Sequence, residues 1–580
     1  MTANFPEEYL TRIIALFNKY ESVEHINCSL KERTGIKDFF KSSNELERYK
    51  KVIKNLPKID LDNKDLGDFQ TPSQLTDRIC KHFIDINFKP NIILEPTSGI
   101  GNFVVSALKF FPTVKYIYCV EALDTYEVLF KLNLLKLSFE QKINANIKFY
   151  QDNIYTHVFS EDFLNILDDN SLNFLILGNP PWVTNTQLSM LNSDNLPSKS
   201  NIKGLRGIEA ITGKANFDIA EYIILLMIQK FSYRKGKIAM LCKGTVIRNL
   251  VRDMRKLSLK INNLQTLKID AKREFGVSAD GALFVADIGT ETGNSCTVTS
   301  IYDTDTPNIK IGWFDNKFVS NIKLYKKHKY LDGKSPFEWR HGVKHDASKI
   351  LILRSTNDGL LTNDFDENIY VEDKLLYPFV KGSGLKEIVI NDTNKKIIIT
   401  QKSPKEDTEY IHTEFPRLWK YLISHSNHFE NRKSKIYKGR SRFSIFGIGD
   451  YSFKPYKIAV SGFYKKPNFV LVLPIDNKPV MLDDTCYFLS FDTLNYAFFP
   501  WILLNLKKTK DFLESIVFID SKRPYTKDIL MRIDLKKLLE RVTFEDLLNF
   551  YQGTNNKIFK HKFTKNDYLS FKNSIPLGLS

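Results

Sequence analysis

The sequence predicts a doubly wound α/β sheet, preceded by helices and followed by a mixed α+β region. Three observations predict it. Short apolar runs alternate with helix-period segments from about residue 66 to about 325. One such run, Asn91–Glu95, passes into a glycine turn and a helix start. Another, Leu172–Gly178, ends abruptly on two prolines, which cannot continue a central strand. The 580 residues are 43% hydrophobic and 26% charged, which excludes a disordered or collagen-like chain and allows two to four domains with their own cores.

The elements follow in order. Residues 1–65 read as a helical cap, with Tyr9, Ile13, Ile14 and Phe17 at helical spacing. Residues 66–325 hold candidate strands at Asn91–Glu95, Lys115–Glu121, Ile147–Gln151, Leu172–Leu177, Lys237–Leu241, Leu264–Ile269, Ala282–Asp287 and Thr297–Tyr302. Helical patterns lie between several of them, notably Gly101–Phe110 and Phe217–Phe231. Residues 326–580 are less regular, with aromatic and basic residues interleaved among turns.

Lys plus Arg number 84 and Asp plus Glu 67, a net charge of +17 that favours a polyanionic partner. Six cysteines stand singly, with no Cys-x-x-Cys pair, as expected of free thiols in a reducing cytoplasm. Met1–Tyr20 mixes charges among its apolar residues, so it reads as an amphipathic helix and not a signal peptide. The longest apolar run, Ile223–Ile228, is too short to span a bilayer. A soluble, cytoplasmic protein with no membrane partner is expected.

Gly99 and Gly101 let the backbone pass close to a ligand at the end of a strand, where doubly wound sheets bind nucleotides. The next strand ends in Glu121, 20 residues after Gly101, placed to accept from both ribose hydroxyls. The third glycine of a Gly-x-Gly-x-x-Gly fingerprint is missing, which argues against a nicotinamide cofactor. A tight structural turn followed by a surface carboxylate is the alternative.

Asn179-Pro180-Pro181-Trp182 forms a stiff loop at the end of its strand. The Asn179 side-chain oxygen and the Pro180 carbonyl can accept from one exocyclic amino group. That contact draws the nitrogen lone pair out of ring conjugation and raises its nucleophilicity. Trp182 offers a face on which a base can stack. A proline-rich turn with a core tryptophan is the alternative.

With these residues the sequence resembles the gamma class of DNA N6-adenine methyltransferases of restriction–modification systems. Phe69-Gln70-Thr71-Pro72 matches the class's first segment. Glu95, Pro96, Gly99, Gly101 and Phe103 match its Asp-Pro-x-x-Gly-x-Gly-x-Phe pattern, with Glu95 in place of the usual Asp. Glu121 matches the ribose-binding acid and Asp152 the acid that reads the cofactor adenine. Asn179–Trp182 matches the catalytic tetrapeptide, with Trp182 in place of the commoner Tyr or Phe. The resemblance covers about 66 to 300 well, and its general layout continues to about 560. It implies a Rossmann-like methyltransferase sheet, a C-terminal target-recognition domain, S-adenosylmethionine as cofactor and a flipped adenine in double-stranded DNA as substrate. Thr71 and Pro72 then flank the methionine end of the cofactor. Host protection in a prokaryotic cell is implied, with a restriction endonuclease encoded separately. Neither a metal nor a covalent nucleophile is required. The class often supplies a second stacking aromatic from a later strand. The matching run, Ile238–Thr245, has none, so Met240 or Leu241 packs there or the strand contributes no stacking.

Residues 184–216 form a long polar stretch after the tetrapeptide, read as a lid with Lys199, Lys203, Arg206 and Lys214 on phosphates; a flexible surface insertion is the alternative. Asn431–Asn468 holds ten basic residues and one acid, including Arg432, Lys438, Arg440, Arg442, Lys457, Lys465 and Lys466. Phosphate contacts are expected from this set. Leu376–Gly384 resembles the start of the recognition domain. His341 and His345 lack the glutamate of a zinc protease, and His425 and His428 lack a metal set. Two other readings stay open: methyl transfer to an amino group of RNA or of a protein glutamine, and a catalytically silent DNA-binding subunit.

Overall fold

The computed structural model describes residues 5–55, 67–184, 218–303, 308–356, 359–554 and 560–575. The chain divides into two compact units, Met1–Phe318 and Val319–Ser580.

The first unit begins with three helices, α1 (Glu7–Asn18), α2 (Val23–Thr34) and α3 (Ser43–Asn55). Ser22 caps α2 by accepting from the His25 backbone N–H, and Gly35 ends it in the left-handed region. The three helices share one hydrophobic core with the sheet that follows. Two polar ties reinforce it. Ile147 N–H donates to Gly35 O at 3.0 Å. Lys131, with its side chain 3% exposed, donates to Phe39 O at 2.5 Å and Glu127 at 2.9 Å, and lies 3.5 Å from Glu45. A buried ammonium needs such a set of acceptors to remain charged.

The chain then runs α4 (Ser73–Asp85), β1 (Ile92–Glu95), α5 (Asn102–Phe110), β2 (Tyr116–Glu121), α6 (Asp124–Glu140), β3 (Asn146–Gln151), α7 (Glu161–Leu167) and β4 (Phe174–Gly178). It continues with α8 (Ile219–Lys230), β5 (Gly236–Lys243), α9 (Gly244–Asp253), β6 (Ile261–Asp270), α10 (Ala271–Phe275) and β7 (Asp280–Ile288). Three edge strands close the unit: β8 (Ser295–Ser300), β9 (Ile309–Phe314) and β10 (Lys317–Val319). One ten-stranded sheet results, in the order β10-β9-β8-β6-β7-β5-β4-β1-β2-β3. Strands β1 to β5 are mutually parallel, while β7 runs antiparallel between β5 and β6.

Alternation along the central strands explains why both faces carry helices. Ile93, Ile117, Cys119, Leu175 and Leu177 enter one core, and Ile92, Leu94, Tyr118, Val120, Phe174 and Ile176 the other. Each such side chain contributes about 1.5–3 kcal/mol on burial. The chain winds β1→β2→β3 to one side, then returns across β1 to form β4. The crevice between β1 and β4 is therefore the switch point at which open α/β sheets take ligands. The strands β9 and β10 were not expected from the sequence. They form an edge hairpin whose turn, Asp315-Asn316, has both residues at positive φ.

The second unit holds a five-stranded and a six-stranded sheet, with helices towards its C-terminal end. Tyr456–Ser461 pairs antiparallel with Cys486–Phe491 along all six residues. The helix Leu494–Asn505 is almost wholly buried despite an internal Pro500. No helix among the described residues is long and apolar enough to cross a membrane.

Candidate active site

A pocket opens at the C-terminal ends of β4, β1, β2 and β3, with about 1110 Å³ of empty space, its open mouth included. Of the expected cofactor residues, Phe69, Thr71, Glu95, Pro96, Gly99, Phe103, Glu121, Asp152 and Asn179 line it. Pro72 and Gly101 stand behind the lining as the N-caps of α4 and α5. Of the tetrapeptide, Asn179 and Pro181 line the pocket, while Pro180 and Trp182 do not.

The turn between β1 and α5 shows why glycine is needed twice. Gly99 has φ +52°, and a Cβ there would lie 2.6 Å from Gln70 Oε1. Gly101 has φ +82°, and a Cβ would lie 2.5 Å from the Phe130 ring. The turn is held by Glu121, whose carboxylate accepts from Gly99 N–H at 2.8 Å and Leu123 N–H at 2.9 Å. Burial pushes the Glu121 carboxyl up to about 7, against those two backbone hydrogen bonds. Glu95 sits deeper, 1% exposed, and its Oε2 has no hydrogen-bond partner. Burial, and then the charge of Glu121, hold it well above the usual carboxylate range. Burial of this kind favours the neutral form, and an entering cation would favour the charged one.

A strap, residues 67–71, ties the glycine turn to the catalytic loop. Gly67 O accepts from Trp182 N–H at 2.9 Å, and Phe69 O accepts from Asn179 Nδ2 at 2.8 Å. Gln70 Oε1 accepts from Ile100 N–H at 3.2 Å, while its Nε2 donates to Asp68 at 3.2 Å. Asp68 also accepts from the Tyr126 hydroxyl on α6 at 2.6 Å. The two Asn179 bonds assign its amide: nitrogen to Phe69, and oxygen to the indole N–H of Trp182 at 2.9 Å. Trp182 is 5% exposed, with its ring edge-on to Phe69 and Phe275. Little of either face is open, so the stacking face expected there is covered in this arrangement. The ring fits only because Gly281 on β7 has no side chain; a Cβ would lie 2.8 Å from Cη2. Met240 and Leu241 are fully buried and line no part of the pocket.

Among protein-family models, none matches the chain. The type II methyltransferase M.NspV of Nostoc sp. is 37% identical over 489 residues, spanning 84% of this chain and 99% of its own length. The chain belongs to the type II methyltransferases of restriction–modification systems. Among solved structures, the type IIL restriction–modification enzyme MmeI, determined with DNA, shares 12% identity at a TM-score of 0.49, over 96% of this chain and 81% of its own. The type IIG restriction endonuclease BpuSI shares 13% at 0.38, over 98% of this chain and 75% of its own. At those values neither extends the assignment.

This methyltransferase takes S-adenosylmethionine as cofactor, and the residues present suit it. Four carboxyls, from Asp68, Glu95, Glu121 and Asp152, line the pocket of an otherwise basic protein. They suit a ligand that carries a sulfonium and an ammonium. Glu95 Oε2 is an unsatisfied acceptor in the lining. Asp68, Gln70, Tyr126, Asn153 and Tyr155 were not singled out from the sequence, nor were Ile219 and Ile223 of α8. Gln70 lay inside a matched motif, and Ile219 and Ile223 share one helix face at i, i+4 spacing. Tyr126 carried no local signal.

The basic residues of the methyltransferase's second unit divide. Lys433, Lys435, Lys438, Arg440, Arg442, Lys465 and Lys466 are exposed. Arg442 lies 3.6 Å from Glu430, and Lys465 donates to Ile519 O. Two members of the set are corrected. Arg432 donates to the Phe429, His345, Ser444 and Arg442 carbonyls and stacks 3.6 Å from the Tyr437 ring centre. Lys457 is buried, donates to Lys454 O at 2.7 Å, and is pushed down to about 7 by burial. Neither is open to a phosphate. His345 is buried and pushed down to about 4, so it is a neutral structural group. Lys199, Lys203, Arg206 and Lys214 lie outside the described residues.

Proposed function

We propose that the protein methylates the N6 amino group of adenine in double-stranded DNA, on a base turned out of the helix. The supporting observation is Asn179 at the end of β4, its amide nitrogen committed to Phe69 O and its oxygen on the side away from it. An incoming amino group then meets an acceptor. Carbonyl-type oxygens carry two lone pairs, so Oδ1 can accept from Trp182 and from the base together. The Pro180 carbonyl supplies the second acceptor. When bound, S-adenosylmethionine supplies an electrophilic methyl group. Glu121 holds the ribose, Glu95 meets positive charge, and Thr71 and Pro72 bound the methionine end. Asn179 and Pro180 stabilise the charge developing on the amino nitrogen, and preorganised acceptors of this kind need no rearrangement at the moment of transfer.

Lys438, Arg440, Arg442, Lys465 and Lys466 supply phosphate contacts on the second unit. Methylation at one site in the prokaryotic cytoplasm protects host DNA from a separately encoded nuclease. The test is methyl transfer from labelled cofactor to duplex DNA, with products digested to nucleosides. N6-methyldeoxyadenosine from the wild type, lost in Asn179→Ala, is the expected result. Label on cytosine overturns the adenine reading. Label absent from DNA but present on RNA or protein overturns the DNA reading.

A further inference from the structure

Asp152 is half exposed at the pocket wall, but what stands behind it is wholly buried. Its Oδ2 lies 2.7 Å from Nδ1 of His157, a side chain 3% exposed. The other imidazole nitrogen, Nε2, lies 2.8 Å from the Tyr118 hydroxyl on β2. That hydroxyl accepts from Ser160 N–H at 3.3 Å, and Nε2 lies within reach of its own proton. With a proton on Nδ1, the imidazole donates to Asp152 and accepts from Tyr118. The imidazole sits edge-on to Phe159 at 5.0 Å, and Tyr118 stacks on Tyr150 at 4.7 Å. The ring is therefore packed among aromatic neighbours, Tyr118, Tyr150 and Phe159. The Asp152 carboxyl is held below the usual carboxylate range, first of all by its hydrogen bond from His157.

The strand order gives this chain a purpose. Asn179 follows β4, Glu121 ends β2 and Asp152 follows β3, across the row β4-β1-β2-β3. A nucleoside with its ribose on Glu121 and its reactive end towards Asn179 must lay its base beyond β2, over Asp152. We infer that His157 is a positioning residue for cofactor recognition: its buried Nδ1–H fixes the orientation of the Asp152 carboxylate that accepts from the adenine amino group. The inference rests on the cofactor pocket proposed above, and Tyr118 completes it by fixing the tautomer.

Binding tests it without turnover. Affinities are measured by calorimetry for S-adenosylhomocysteine and for its inosine counterpart, in which a carbonyl replaces the base amino group. Wild type is expected to prefer the adenine form. His157→Leu removes the donor and should reduce that preference about tenfold, the scale of one hydrogen bond to a charged group. His157→Asn keeps an N–H near the Nδ1 position and should restore most of it. Tyr118→Phe leaves the donor but frees the tautomer, so a loss of a few-fold is expected. It carries the same test should His157→Leu fail to fold, and an unchanged preference in it then overturns the inference. Preference lost in Asp152→Asn but kept in His157→Leu overturns the role of His157 and leaves the adenine site standing. Preference unchanged in both overturns the adenine site and the inference together. A fall in melting temperature with preference intact also overturns it, since that is what a purely structural histidine would give.

Discussion

Asn179 is positioned by two hydrogen bonds, and the second exists only because residue 182 is tryptophan. A Tyr or Phe ring at this place has no N–H to give. Trp182→Phe keeps an aromatic ring in the Phe69–Phe275 cluster but removes the indole donor, together with the ring atoms that pack beside Gly281. The Asn179 amide then loses one of its two anchors, the one on its oxygen. We expect kcat to fall about tenfold, one hydrogen bond's worth of orientation, with cofactor affinity unchanged. An unchanged kcat, measured by single-turnover transfer, would show that the Phe69 carbonyl alone holds the amide. The position illustrates the limits of reading sequence locally. The tetrapeptide was legible, because two prolines after an apolar strand have few explanations. The direction in which Trp182 faces was not, because it is set by Phe69, Phe275 and Gly281, which lie far along the chain.

At the scale of elements, β7 is the least forgiving part of the catalytic unit. It runs antiparallel between β5 and β6, and Gly281 near its start clears the Trp182 ring. Gly281→Ala places a Cβ 2.8 Å from Cη2, 3.0 Å from Ile269 and 3.1 Å from Ala271. Overpacking of this kind costs about 1–3 kcal/mol. We expect a lower melting temperature together with a lower kcat, because the displaced indole carries Asn179 with it. Gly553→Ala, with nothing within 4 Å of its Cβ, is the matched control and should change neither. Most strands of this unit were readable from short apolar runs, since a strand covered on both faces has few other ways to appear. The antiparallel course of β7 was not readable, because pairing direction leaves no mark on composition. The hairpin of β9 and β10 was missed for another reason: its residues are mostly half-exposed or exposed, so the apolar signal is diluted. The helices α1 to α3 were legible as helices. Their union with α6 through Lys131 was not, since nothing nearby in sequence marks that lysine as buried.

For the whole molecule, two carboxyls buried in the pocket tie stability to pH. Glu95 and Glu121 are both raised in the folded state, so folding favours their protonated forms. Their contribution to stability is fully present below the ordinary carboxylate range and is lost as pH rises through about 7, the value for Glu121. Glu95→Gln removes one ionisable group at nearly constant volume. Without cofactor, we expect the variant to approach wild type at pH 4 and to melt a few degrees higher at pH 8. Cofactor should narrow that gap, because it stabilises the wild type more than the variant. Melting curves at both pH values, with and without S-adenosylhomocysteine, check the prediction. A variant less stable than wild type at pH 8 in the empty state would refute the sign.

Thr184 and Asp218 form an antiparallel bridge, and Ile219 N–H donates to Val183 O at 2.9 Å. Positions 184 and 218, distant in sequence, are therefore neighbours in the catalytic unit. The tie is made by backbone atoms, so the join between the catalytic loop and α8 can be inherited through changes of side chain at either end.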